Sequence, residues 1–323
     1  MKQHLKYLLL LSVFFCSTHL AAQRTTGLTM VADTSFTNHS AYLHSLKNFP
    51  QMKFPADSLP EGVARVTGIP YTNGLNIDVF YPARKHQSLP GILIIHGGGW
   101  RSGNPQQHHA MAAQLAAKGF VCYTASYRLS THALYPAAVA DLKAAIRWIK
   151  ANAARWKTDT SRIAVAGFSA GGQLAALIGA TNNKPEFDTL PGNQQVSSRV
   201  QAIVCIDGVL AFIHPESAEG NDSKAPSAAT QWFGYTKTEK PALWYEASAL
   251  TYAGAGTPPT LFINSSIPRF HGGRNDYIDT LKAHHIYTEV QELDNTPHTF
   301  CLFEPWFTPT VNYIDAFLKK VFG

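Results

Sequence analysis

The chain has 323 residues, of which 45% are hydrophobic and only 15% charged. That composition excludes a disordered or fibrous protein and leaves ample length for a large buried core. The net charge of +6 comes from 27 dispersed basic residues, a pattern of solubility rather than of a nucleic-acid-binding patch.

Residues 1–22 read as a signal peptide. Lys2 and Lys6 make a positive start, Tyr7 to Phe15 is an apolar run too short to span a bilayer, and Leu20-Ala21-Ala22 places small residues before Gln23. Cleavage near Ala22 predicts a secreted or periplasmic protein with no membrane span in the mature chain. Cys16 lacks the preceding small residues that a lipid-attachment site needs. The remaining cysteines, Cys122, Cys205 and Cys301, are odd in number and lack metal-ligand spacing. No disulfide framework, metal or cofactor is expected from them.

Residues 23–60 are polar and closed by Pro50, Pro55 and Pro60, which predicts an extended leader with room for a short helix. The segment 61–323 then reads as one catalytic domain. Val63 to Tyr71 and Leu75 to Tyr81 are two strands joined at Asn73-Gly74, a hairpin signal. From Gly91 the pattern alternates. Strands are predicted at Gly91 to His96, Phe120 to Ser126, Arg162 to Ala166, Val200 to Ile206, Thr260 to Ile263 and Tyr287 to Leu293. Helices are predicted at Pro105 to Lys118, from Pro136, at Ala170 to Gly179, at Asp276 to His284 and at Thr310 to Val321. Such alternation implies an α/β fold with a mostly parallel sheet covered on both faces, whose ligands bind at the carboxyl ends of the strands. Residues 211–257, rich in aromatic residues and proline, interrupt it as an insertion over the sheet.

Gly167-Phe168-Ser169-Ala170-Gly171 follows a strand and opens a helix, the setting of a nucleophile elbow. A serine on so tight a turn needs small neighbours, and glycines supply them. His96-Gly97-Gly98-Gly99-Trp100 follows an earlier strand. Glycines there let backbone N–H groups approach a developing oxyanion, worth about 3 kcal/mol for one donor. A phosphate loop would need a Gly-Lys-Ser/Thr ending, which is absent.

These two motifs, with Tyr127-Arg128-Leu129 and Tyr135-Pro136-Ala137-Ala138-Val139-Ala140-Asp141, resemble the esterase/lipase branch of the α/β-hydrolase fold that includes bacterial carbohydrate esterases. The resemblance spans about residues 62–321. It implies Ser169 as nucleophile and the N–H groups of Gly98, Gly99 and Ala170 as the oxyanion hole. His298 is the expected base: it lies in a loop past the last strand, and Pro297-His298-Thr299-Phe300 is similar to the family's Gly-His-x-Phe. The acid departs from the pattern. The family usually carries an Asp about four residues beyond the penultimate core strand, but Ser265-Ser266-Ile267-Pro268-Arg269 stands there. Asp276 is the preferred candidate, with Asp279 and Asp207 as alternatives.

The segments Ile267 to Arg274, Pro297 to Phe300 and Phe303 to Phe307 are similar to esterases of pectin degradation. Arg269 and Arg274 are expected to meet uronate carboxylates, and Trp100 and Trp306 to stack on sugar rings. The expected substrate is an acetyl, methyl or feruloyl ester on a plant polysaccharide such as pectin or xylan. The alternatives are a carboxylesterase or lipase for small acyl esters and a catalytically impaired carbohydrate-binding homologue.

Overall fold

The computed structural model describes residues 26–72, 74–84 and 87–323. The expected signal peptide and Asn73 at the expected hairpin tip lie outside the described residues. The hairpin strands are Val63–Thr72 (β1) and Leu75–Pro82 (β2), paired antiparallel. The later apolar runs form β3 (Leu89–Ile95), β4 (Val121–Ala125), β5 (Thr158–Phe168), β6 (Ala202–Ile206), β7 (Thr260–Ser265) and β8 (Thr288–Leu293). The sheet order is β1-β2-β4-β3-β5-β6-β7-β8, antiparallel only at β1–β2 and β2–β4. Strands β4, β6 and β7 are buried along their whole length, whereas edge strand β8 is half-buried and exposed in alternation. That contrast is what coverage on both faces of the central strands produces.

The helices are α1 (Asn38–Leu46), α2 (His109–Ala117), α3 (Ala137–Ala151), α4 (Ala153–Trp156), α5 (Ala170–Ala180), α6 (Ala228–Phe233), α7 (Pro241–Glu246), α8 (Arg274–Ala283) and α9 (Phe307–Phe322). α2 and α9 cover one face of the sheet, where Leu115, Ile314 and Phe317 share a core with Ile92, Ile94 and Val204. On the other face α3, α5 and α8 bring Leu142, Leu174 and Leu281 to Leu93, Val165 and Ile203. Each such fully buried side chain contributes about 1.5–3 kcal/mol.

Two segments outside the sheet shape the catalytic face. In the 211–257 insertion, Trp232, Phe233 and Trp244 are fully buried and pack with Trp100, Tyr135 and Phe212. These insertion aromatics are therefore a packed roof. The leader is also tied down. Asp33 pairs with Arg101 at 2.6 Å, and Gly27 N–H donates to the Gln231 carbonyl at 2.7 Å. Tyr42 and Phe54 pack on Phe303. α1 begins with a capping box, in which Thr37 and Ser40 each accept the other's backbone N–H.

Candidate active site

β5 runs into Ser169, and the chain turns there into α5 with φ 56° and ψ −121°. A serine holds such a backbone conformation only where its surroundings impose it. The turn is so close that a Cβ on Gly167 would lie 2.1 Å from the Gly171 carbonyl oxygen. Ser169 N–H donates to the Ile206 carbonyl at 2.8 Å, which ties the turn to β6. The hydroxyl is left above the strand ends, at the positive end of α5.

The glycine loop after β3 is held from behind. Gln107 Oε1 accepts the Gly97 N–H at 2.7 Å, and the Ser102 N–H and hydroxyl both donate to the Gly98 carbonyl at 3.0 Å. Gly98 has φ +122°, and a Cβ there would meet the Ser102 carbonyl oxygen at 2.2 Å. Among the described residues the N–H groups of Gly98 and Gly99 have no acceptor. Ala170, first in α5, has no intrahelical acceptor either. All three residues line the same cavity as Ser169, so the loop presents fixed donors to a developing oxyanion beside the hydroxyl.

His298 lies beyond β8 with Nε2 2.9 Å from Ser169 Oγ. Its ring is stacked on Phe270, with centroids 3.6 Å apart and planes 5° apart, and Phe168 tilts against it at 4.8 Å. The Arg269 guanidinium sits over Phe270 at 4.3 Å. Burial holds the imidazole below its usual pKa of 6.5; the hydrogen bond to Asp207 opposes this and the Arg269 charge reinforces it. A base must be neutral to take a proton, so a mechanism with His298 as base loses activity as pH falls through this pKa. The acid limb of kcat/KM is expected below pH 6.5, and Arg269→Gln is expected to move it upward by removing a depressing charge. A limb above pH 6.5, or a downward move, contradicts this reading of His298.

The carboxylate behind His298 is Asp207, not Asp276. Asp207 Oδ2 accepts from His298 Nδ1 at 2.9 Å. It follows β6 directly, is fully buried, and also accepts the Ser265 hydroxyl at 2.6 Å and the Ser265 N–H at 2.8 Å. Because β6 and β7 are parallel neighbours, the residue after β6 sits beside the end of β7. Ser265 thus stands near where the family pattern calls for a carboxylate and donates to one from the next strand. Asp276 lies in the first turn of α8, with its side chain 62% exposed and 3.4 Å from His214. Asp279 is exposed beside Lys282. The one sequence signal for Asp207 is a charged residue directly after a buried strand.

Three of the four expected substrate contacts are placed differently. Arg274 is buried behind Asp207, where it donates to Asn264 Oδ1 at 3.1 Å and Glu292 Oε1 at 2.6 Å. Trp306 packs edge-on against Phe49 at 5.8 Å, beneath the leader. Trp100 touches the cavity but is only 4% exposed; its Nε1 donates to Gln173 Oε1, and its ring stacks on Trp232. The sheet, the leader and the apolar roof are their respective partners. Arg269 does line the cavity, 3.7 Å from Glu219. Phe270, within the segment that resembles pectin esterases, and Glu219 also line it, though neither is among the expected contacts. Among the described residues, no cluster of metal-binding side chains occurs and no helix is long and apolar enough to cross a membrane.

A sequence profile described as BD-FAE matches residues 77–274. Esterase LipC of Mycobacterium tuberculosis is 32% identical over 248 residues, covering 72% of this chain and 58% of LipC. The chain spans about half the length of the curated relatives it matches. Among solved structures, a bifunctional GH43-CE protein of Bacteroides eggerthii aligns with a TM-score of 0.70 and 25% identity, covering 80% of this chain and 38% of that one. A truncated carbohydrate esterase from gut microbiota aligns with a TM-score of 0.69 and 22% identity, covering 83% of this chain and 100% of that one.

Proposed function

This chain belongs to the BD-FAE family of α/β-hydrolase-fold proteins, and from that premise we propose that it is a secreted or periplasmic serine esterase acting on ester substituents of plant cell-wall polysaccharide. One observation carries the catalytic part of this reading: Ser169, His298 and Asp207 form a continuous hydrogen-bonded relay beside the Gly98 and Gly99 N–H groups, which have no acceptor among the described residues. His298 Nε2 takes the Ser169 proton as Oγ attacks the ester carbonyl. The Gly98, Gly99 and Ala170 N–H groups hold the oxyanion, and Asp207 holds the imidazolium. The intermediate collapses, His298 protonates the leaving alcohol, and water then releases the acid from Ser169 by the same steps.

The carbohydrate part is supported by Ser35, Glu219, Asn221 and Arg269 in the cleft lining and by two structural neighbours, the carbohydrate esterase from gut microbiota and the bifunctional GH43-CE protein. The deciding experiment compares p-nitrophenyl acetate, acetylated xylan, methylated pectin and tributyrin. Release of acetate or methanol from a polysaccharide faster than turnover of tributyrin supports the reading. The reverse order favours a carboxylesterase for small acyl esters. Binding of polysaccharide without hydrolysis of any ester would make the protein a carbohydrate-binding homologue.

A further inference from the structure

Two cavities of about 610 and 600 Å³ meet at His298, sharing Ser35, Phe36 and Arg269 as well, and so form one cleft. The first holds Ser169 and the oxyanion donors. The second touches Pro297, His298 and Thr299 but none of Gly98, Gly99, Ser169 or Ala170. The chemistry orients an ester across them. Its carbonyl oxygen must sit at the glycine N–H groups, and its leaving oxygen must take a proton from His298 Nε2. The alcohol part therefore extends on the imidazole side, into the second lobe.

The far wall of that lobe is the leader. Ser35, Ser40, His44 and Asn48 line it, with Phe36 and Phe49 between them. His44 and Asn48 are four residues apart, exposed, and their side chains have no hydrogen-bonding partner among the described residues. The free polar groups of His44 and Asn48 beside the faces of Phe36 and Phe49 suit a polyhydroxylated ring, which needs both hydrogen bonds and apolar contact. Methanol would leave such a volume almost empty. The leader, like His298, lies outside the family match at 77–274.

We propose that residues 35–49 form a binding site for the alcohol part of the ester, and that this alcohol is a sugar unit of an oligosaccharide. The inference rests on the esterase reading above and narrows it: the bond cut joins an acyl group to a sugar hydroxyl, rather than a uronate carboxyl to methanol.

The test holds the acyl group constant and varies the alcohol. The full chain and its His44→Ala/Asn48→Ala variant are assayed on p-nitrophenyl acetate, acetylated xylo- and galacturono-oligosaccharides, and methyl-esterified galacturono-oligosaccharide. The variant is expected to lose about tenfold in kcat/KM on the acetylated oligosaccharides, the effect of two weak hydrogen bonds, and to stay within about twofold on p-nitrophenyl acetate. Equal effects on both acetates, or none on either, overturn the assignment of the lobe while leaving the esterase reading standing. Preference of the unaltered chain for the methyl ester overturns the sugar as leaving alcohol. Failure of the unaltered chain on every ester overturns the esterase reading, and this inference with it.

Discussion

Ser169→Ala is expected to lower kcat on p-nitrophenyl acetate by about 10⁶, the cost of removing a covalent nucleophile. The relay ends at Oγ, 2.9 Å from His298 Nε2, and no other hydroxyl is hydrogen-bonded to that nitrogen among the described residues. Residual turnover should reflect the glycine N–H donors and binding alone. The fold should survive, because alanine keeps the Cβ and the turn is held by the Ser169 N–H bond to Ile206. Ser169→Gly should be equally inactive but more stable, by about 1 kcal/mol, since it relieves the positive φ at that position. Denaturant unfolding measures this. A variant at Ser169 that keeps more than a hundredth of the activity would remove it from the mechanism.

Asp207→Asn is expected to lower kcat by about 10⁴, whereas Asp276→Asn should change it by less than about twofold. The reason is the tautomer. Asp207 accepts from His298 Nδ1, which leaves Nε2 free to take the serine proton. An amide donating to Nδ1 would place the imidazole proton on Nε2 instead, where it cannot act as base. The loss should appear in kcat more than in KM, because the buried Asp207 does not line the cleft. Asp276 makes only a surface contact with His214, and exposed pairs of that kind contribute about 0–1 kcal/mol. Equal loss in both variants, or loss only at Asp276, would return the acid to α8.

The parts of the site legible in the sequence are those whose chemistry constrains neighbouring residues. A nucleophile on a tight turn and a glycine loop write their requirements into adjacent positions, so Gly167 to Gly171 and His96 to Trp100 announce themselves. The alternation of strands and helices is likewise local, and the sheet follows it closely. Arg274 and Trp306 are near the site residues along the chain but not in space; α8 carries one behind Asp207, and the leader covers the other.

The fold class, the elbow at Ser169, the glycine loop and the loop position of His298 are written in short stretches of the chain. The carboxylate at the end of β6, the packed roof of the insertion's buried aromatics and the leader's place along one side of the cleft emerge from three-dimensional packing. Each of those depends on which segments lie side by side in space. Strand order places Asp207 beside Ser265, and packing folds the leader back over His298. Neither partner is fixed by the residues next to it in the chain, because the pairs are joined by burial and hydrogen bonds rather than by sequence spacing.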